Sequence, residues 1–136
     1  MSICAYTRFA AGKPGSGSNY LARVHQSLSQ HRIECLQESE VEEASFESGM
    51  DLFSRLPKKV NAAVGLGGGK ALDVAKYVAF LARLPYYAVL TSLSNDGFSS
   101  PQSSLTIAGR RRSLAAALPF GVVIDLDVCR NAPQPL

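Results

Sequence analysis

The stretch Ala63-Val64-Gly65-Leu66-Gly67-Gly68-Gly69-Lys70-Ala71-Leu72-Asp73-Val74-Ala75-Lys76 decides how this chain folds. The apolar run from Asn61 to Leu66 reads as a buried strand, and it enters three consecutive glycines directly. A helical pattern starts at once: Leu72, Ala75, Ala79 and Ala82 recur at a spacing that lays one apolar stripe against a sheet. Glycines at a strand-to-helix turn let the backbone approach a ligand closely, and the free N–H groups of the helix start attract an anion. One or two glycines would mean only a tight turn. Three in a row followed by a lysine read as a phosphate cradle built from Gly67, Gly68, Gly69 and Lys70.

Two common phosphate motifs are excluded by the residues present. A Walker A loop requires glycine where Val64 stands and serine or threonine where Ala71 stands. The ordinary dinucleotide fingerprint requires a third glycine at Lys70 and usually follows the first strand of a domain. Here at least one strand and one helix come earlier.

The surrounding pattern alternates strand and helix. Ile3 to Phe9 reads as a strand, followed by a loose turn from Gly12 to Ser18 and a helix from Asn19 to Gln30. Arg32 to Leu36 reads as a second strand, Glu42 to Leu56 as a helix that tolerates Gly49, and Pro57-Lys58-Lys59 as a connector. The helix after the glycines ends near Arg83, and Tyr86 to Leu90 forms a fourth strand. Ser103 to Ala108 and Ser113 to Leu118 are extended runs about a Gly109-Arg110 turn, and Gly121 to Asp125 closes with another apolar strand. Short buried strands alternating with helices imply an α/β fold: a Rossmann-like, doubly wound, mainly parallel sheet with an added β-hairpin. With 136 residues, 46% of them hydrophobic, the chain has enough for one modest core, so residues 1–136 are expected to be one domain.

Composition narrows the function classes. No apolar run is long enough to span a membrane, and no basic segment leads into a long apolar one, so the expected location is the cytoplasm, with no membrane partner. Cys4, Cys35 and Cys129 are odd in number and sit in apolar runs; they read as small buried hydrophobes rather than disulfides or metal ligands. The net charge of +3 owes much to Arg110, Arg111 and Arg112, which read as a solvated turn, not a nucleic-acid face.

A second candidate cluster follows the fourth strand. Thr91, Ser92 and Ser94 sit at the carboxyl end of a parallel strand, where open α/β sheets bind ligands. Their hydroxyls are suited to a pyrophosphate or nicotinamide-side oxygen, and Asp96 to a substrate hydroxyl. Alone, Ser94-Asn95-Asp96-Gly97 is ordinary turn chemistry. One βα unit after the glycine turn, it reads as part of the same site. For Asp73, a dipole-complementing role in the first helical turn and a ligand role both stand. Lys76 reads as structural, facing water. No acid at the end of the first strand grips a ribose; Arg8 stands there and hints at a 2′-phosphate, hence NADP.

The whole pattern Gly67-Gly68-Gly69-Lys70-x-x-Asp73-x-Ala75-Lys76 resembles the phosphate loop of the family that joins iron-containing alcohol dehydrogenases, glycerol dehydrogenase, sn-glycerol-1-phosphate dehydrogenase and dehydroquinate synthase. Leu90 to Pro101 resembles the second signature of the glycerol-1-phosphate branch, and the resemblance runs from about Ala62 to the last residue. It implies NAD or NADP as cofactor, with contacts at the positions of Thr91, Ser94 and Ser100, and a substrate contact at Asp96. Asn95 departs from the histidine frequent in that branch.

The resemblance further implies an all-helical half that carries zinc, nickel or iron, its first aspartate ligand lying shortly after the segment matching Val123 to Pro133. The chain ends at Leu136, so it is expected to be the dinucleotide-binding half alone, with no catalytic or metal-ligating residue of its own. The two histidines, His25 and His31, fall in neither motif. A whole enzyme of this kind would serve phospholipid biosynthesis by interconverting dihydroxyacetone phosphate and sn-glycerol 1-phosphate, a small phosphorylated polyol. Self-association through exposed apolar surface is expected, with the hairpin around Gly109 as a candidate contact. The alternatives are a non-catalytic nucleotide-binding module from a truncated gene, or a dehydroquinate-synthase-like cyclase domain.

Overall fold

The computed structural model describes residues 1–8, 16–91, 100–124 and 126. Among the described residues, seven strands and three helices follow in order: β1 (Ser2–Arg8), α1 (Ser16–Gln30), β2 (Glu34–Glu40), α2 (Phe46–Ser54), β3 (Ala62–Gly67), α3 (Gly69–Ala82), β4 (Tyr86–Leu90), β5 (Gln102–Ile107), β6 (Arg110–Ala115) and β7 (Gly121–Ile124). Five strands form one parallel sheet in the order β2-β1-β3-β4-β7, while β5 and β6 pair antiparallel as a separate hairpin. This is the expected doubly wound α/β sheet with an added hairpin.

Side-chain alternation along the strands sorts the helices onto two faces. Cys4, Tyr6, Ala63, Tyr86, Ala88 and Leu90 meet Leu52 of α2 and Leu72, Val74, Ala75 and Val78 of α3 in one continuous core. On the other face, Ala5 pairs in register with Glu38, and His25 of α1 reaches that carboxylate at 2.5 Å. So α1 covers one side of the sheet, and α2 and α3 cover the other. Burial of α3 extends almost all round: Ala71 through Lys76 are all buried, along with Val78 and Ala79. A helix sunk between sheet, α2 and hairpin is expected to be apolar on most sides, and this one is.

Several boundaries depart from the sequence reading. The second strand runs Glu34–Glu40 rather than Arg32 to Leu36, because β2 is an edge strand whose exposed side accepts Glu34, Glu38 and Glu40. A register shift between Ile3 and Cys4 skips Leu36, a bulge that alternation alone does not reveal. The second helix starts at Phe46 rather than Glu42. The Ser45 hydroxyl caps it, accepting from the Ser48 N–H at 3.1 Å. Residues 42–44 stay outside the helix, and the Ala44 carbonyl accepts from the Thr106 N–H of the hairpin at 2.8 Å. The hairpin turn falls at Ala108-Gly109 rather than Gly109-Arg110. Both residues have positive φ (50° and 80°), as a two-residue turn matched to strand twist requires.

Candidate cofactor site

In the strand order β2-β1-β3-β4-β7 the chain reverses direction across the sheet between β1 and β3. Open α/β sheets bind ligands at that switch point, outside the carboxyl ends of the strands. The residues standing there are Arg8 at the end of β1 and Gly67 at the end of β3, which are register partners. Gly67 adopts φ of 135°, and a Cβ at that position would lie 1.9 Å from the Arg8 carbonyl oxygen, so only glycine fits. Next along the chain, the Gly68 N–H donates to the same carbonyl at 3.0 Å. The turn is thereby tied to β1.

Gly68 caps α3 with no side-chain hydrogen bond. The first bond within α3 runs from the Leu72 N–H to the Gly68 carbonyl, at 3.2 Å. Helix geometry therefore gives the N–H groups of Gly69, Lys70 and Ala71 no partner inside α3. Around Gly68 there is room: a Cβ built there would meet no heavy atom of the described residues within 4 Å. A bare helix N-terminus opening onto space fits a phosphate group. The Lys70 side chain is about half exposed, with its ammonium 3.5 Å from the Glu42 carbonyl and 3.9 Å from the Glu43 carboxylate.

The second cluster starts beside the first. Thr91 is buried at the end of β4, and its N–H donates to the Gly67 carbonyl at 3.2 Å. Ser92, Ser94 and Asp96 lie outside the described residues. Ser100 is described; its hydroxyl accepts from the Gln102 N–H at 3.1 Å.

Asp73 and Lys76 sit side by side on the buried flank of α3. Lys76 is not a water-facing residue: only 1% of it is exposed, and its ammonium donates to the carbonyls of Ser100 at 2.7 Å and Gln102 at 3.1 Å. Asp73 bonds to the hairpin. Its carboxylate accepts from the Ser104 N–H at 3.3 Å, and its backbone carbonyl accepts from the Ser103 hydroxyl. Burial pushes the Asp73 carboxyl up and the Lys76 ammonium down from their ordinary values, and each charge partly offsets the shift of the other. The sequence did carry a signal for this burial. Asp73 and Lys76 interrupt a helix that is otherwise apolar on nearly every side, where a polar group must find a partner.

The described residues do not fit a metal. Among them no three His, Cys, Asp or Glu side chains come together. His25 pairs with Glu38, and His31 Nδ1 lies 2.7 Å from the Ser27 carbonyl. Both belong to α1 and its exit, away from the glycine turn. Cys4 and Cys35 are free thiols, buried and half-buried, and Cys129 lies outside the described residues.

A parallel, doubly wound sheet with a glycine turn at its switch point places the chain among doubly wound α/β domains. More specifically, the model of the family described as iron-containing alcohol dehydrogenase matches residues 12–133, and the chain belongs to that family. Similar curated proteins include two named glycerol-1-phosphate dehydrogenase (NAD(P)+). The one from Metallosphaera sedula is 34% identical over 95 residues, 66% of this chain and 27% of the relative. The one from Nitrosopumilus maritimus is 32% identical over 119 residues, 84% of this chain and 32% of the relative. Among solved structures, glycerol dehydrogenase from Schizosaccharomyces pombe superposes with a TM-score of 0.81 at 27% identity, covering 97% of this chain and 33% of that one. The chain thus spans about a third or less of the length of these relatives.

Proposed function

We propose that this chain is the NAD(P)-binding portion of a polyol dehydrogenase of the glycerol-1-phosphate type. The observation that carries the proposal is the glycine turn at the switch point, with an uncapped, open helix N-terminus directly after it. Gly67, Gly68, Gly69 and Lys70 would hold the pyrophosphate, the N–H groups supplying directed donors and Lys70 a mobile charge. Thr91, Ser92, Ser94 and Ser100 would line the nicotinamide side, and Asp96 would accept from a substrate hydroxyl. Asp73 would act behind the turn. Arg8, at the end of β1, would favour NADP over NAD.

In the whole enzyme, hydride would pass from the reduced nicotinamide to the carbonyl carbon of dihydroxyacetone phosphate, and a proton to its oxygen, giving sn-glycerol 1-phosphate and oxidised cofactor. A metal of the family would stabilise the developing charge on that oxygen. The described residues offer no donor set for it, so the chain alone is proposed to bind cofactor without turning over substrate. We further propose that copies of the chain associate through β7, and that neither a membrane nor a nucleic acid is a partner.

Titration of the folded chain with NADH and NADPH, followed by fluorescence or calorimetry, tests the cofactor reading. Binding of either is expected, weakly, because one wall of a cleft gives less enclosure than two. No binding of either at millimolar concentration overturns it. Reduction of dihydroxyacetone phosphate by the chain alone, with zinc, nickel or iron added, would refute the separation of binding from turnover.

A further inference from the structure

Lys70 closes the glycine turn, and it already has a neighbour of opposite charge. Its ammonium lies 3.9 Å from the Glu43 carboxylate and 3.5 Å from the Glu42 carbonyl oxygen. These two glutamates form a short bridge between buried anchors. Before them, Val41 is buried, and its N–H donates to the Thr7 carbonyl at 2.8 Å. Thr7 is the register partner of Leu66, the residue ahead of Gly67. After them, Ala44 is buried, its carbonyl accepts from the Thr106 N–H at 2.8 Å, and Ser45 caps α2. The backbone is thus pinned on both sides of the pair, and Glu43 is held beside Lys70 at the start of α3.

Folding does not call for an acid at this place. Glu47 already stands in the first turn of α2, where a carboxylate complements the helix dipole. An exposed ion pair such as Lys70–Glu43 adds little to stability. Beside a pyrophosphate site, however, a resident carboxylate has two electrostatic consequences. It neutralises the lysine until a phosphate takes its place, and it repels that phosphate in proportion to the charge the ligand carries. We propose that Glu43 is a specificity-determining residue: the resident counter-ion of Lys70, displaced by the pyrophosphate of a dinucleotide and unfavourable to phosphate chains of higher charge. This inference rests on the cofactor reading above and assigns Glu43 no contact with the ligand.

Glu43→Gln keeps the shape of the side chain and removes its charge, and with 78% of that side chain exposed the fold is not at stake. The probes are NADH and ATP, titrated by calorimetry without divalent cations. ATP carries about twice the charge of NADH, so it should gain more from the substitution. Expected at low salt are a NADH affinity about twofold tighter and an ATP affinity about fivefold tighter, both gains shrinking at high salt as screening sets in. In a Lys70→Met background the same substitution should give a smaller gain, because no lysine is left to release. Unchanged or weaker binding in Glu43→Gln, equal gains for the two ligands, or an undiminished gain without Lys70 would each overturn the proposal. If Lys70→Met binds too weakly to measure, the comparison of NADH with ATP decides. NADH binding by the parent chain alongside any adverse result leaves the cofactor reading standing. Binding of neither ligand by the parent overturns that reading, and this inference with it.

Discussion

At the scale of single residues, the first two glycines of the turn make opposite demands. Gly67 is required by the fold: a methyl group would lie against the Arg8 carbonyl and its φ of 135° suits only glycine. Gly67→Ala is expected to cost on the order of 3 kcal/mol, combining backbone strain with a steric clash. Gly68 has ordinary φ and open space, so Gly68→Ala is expected to cost less than about 1 kcal/mol while weakening dinucleotide binding at least tenfold. Urea unfolding and calorimetric titration of the two variants check the pair together. A Gly68→Ala protein that binds as well as the parent would remove Gly68 from the site.

Asp73 supplies a pH test at the same scale. Desolvation raises its carboxyl above the ordinary 3.8, despite the opposing Ser104 N–H, Lys76 and Arg111. The folded protein therefore holds the proton more tightly than the unfolded chain, and the stability linked to it is full below pH 3.8. It declines as pH rises through the higher folded value. Relative to Asp73→Asn, the parent should lose stability between about pH 4 and the folded value, measured by urea unfolding across that range. A parent that instead gains on the variant would mean that the neighbouring charges outweigh burial.

The elements differ in how fully the sequence disclosed them. β4 was legible to the residue, Tyr86 to Leu90, because a buried parallel strand is a bare apolar run bounded by turn residues. β2 was not, since its outer half, Gln37 to Glu40, is held by β1 through backbone pairing that no side chain announces. The start of α2 was misplaced because Glu42 and Glu43 suit a helix start, whereas the non-helical 42–44 stretch serves the distant hairpin through Ala44. Long-range partners decide such boundaries, and local pattern does not contain them. For the site, the strand-to-helix glycine turn was legible, whereas Lys76 was read as facing water although the apolar helix around it signalled burial.

The hairpin yields a prediction at this scale. Ala108 occupies the left-handed region at φ of 50°, which costs an L-residue with no compensating side-chain bond about 1 kcal/mol relative to glycine. Ala108→Gly or Ala108→Asn should raise the unfolding midpoint, by about 0.5–1 kcal/mol in stability, measured by thermal or urea unfolding. A lower midpoint for both would show that β5–β6 does not close on this turn.

For the molecule as a whole, the two borders of the main sheet contrast. β7 has a free edge among the described residues, and Val122, Val123 and Ile124 are exposed on both of its faces, next to Leu118 and a Phe120 that is 77% exposed. A contiguous apolar edge of this kind drives association. Light scattering should find dimers of the chain at high concentration, and Val123→Lys should return it to monomer. A strict monomer before substitution would refute association through β7.

The opposite border, β2, carries Glu34, Glu38 and Glu40 on its exposed side. That acidic rim bears on the geometry of growth. Endless stacking of sheets requires each copy to offer one receptive border to the unlike border of the next, giving a fibre. Here the unlike border is charged and bulged, so β7 would be matched by another β7, through a two-fold axis. Each such union would consume the apolar border that the described residues of each copy offer, and assembly would terminate at two instead of propagating into a filament.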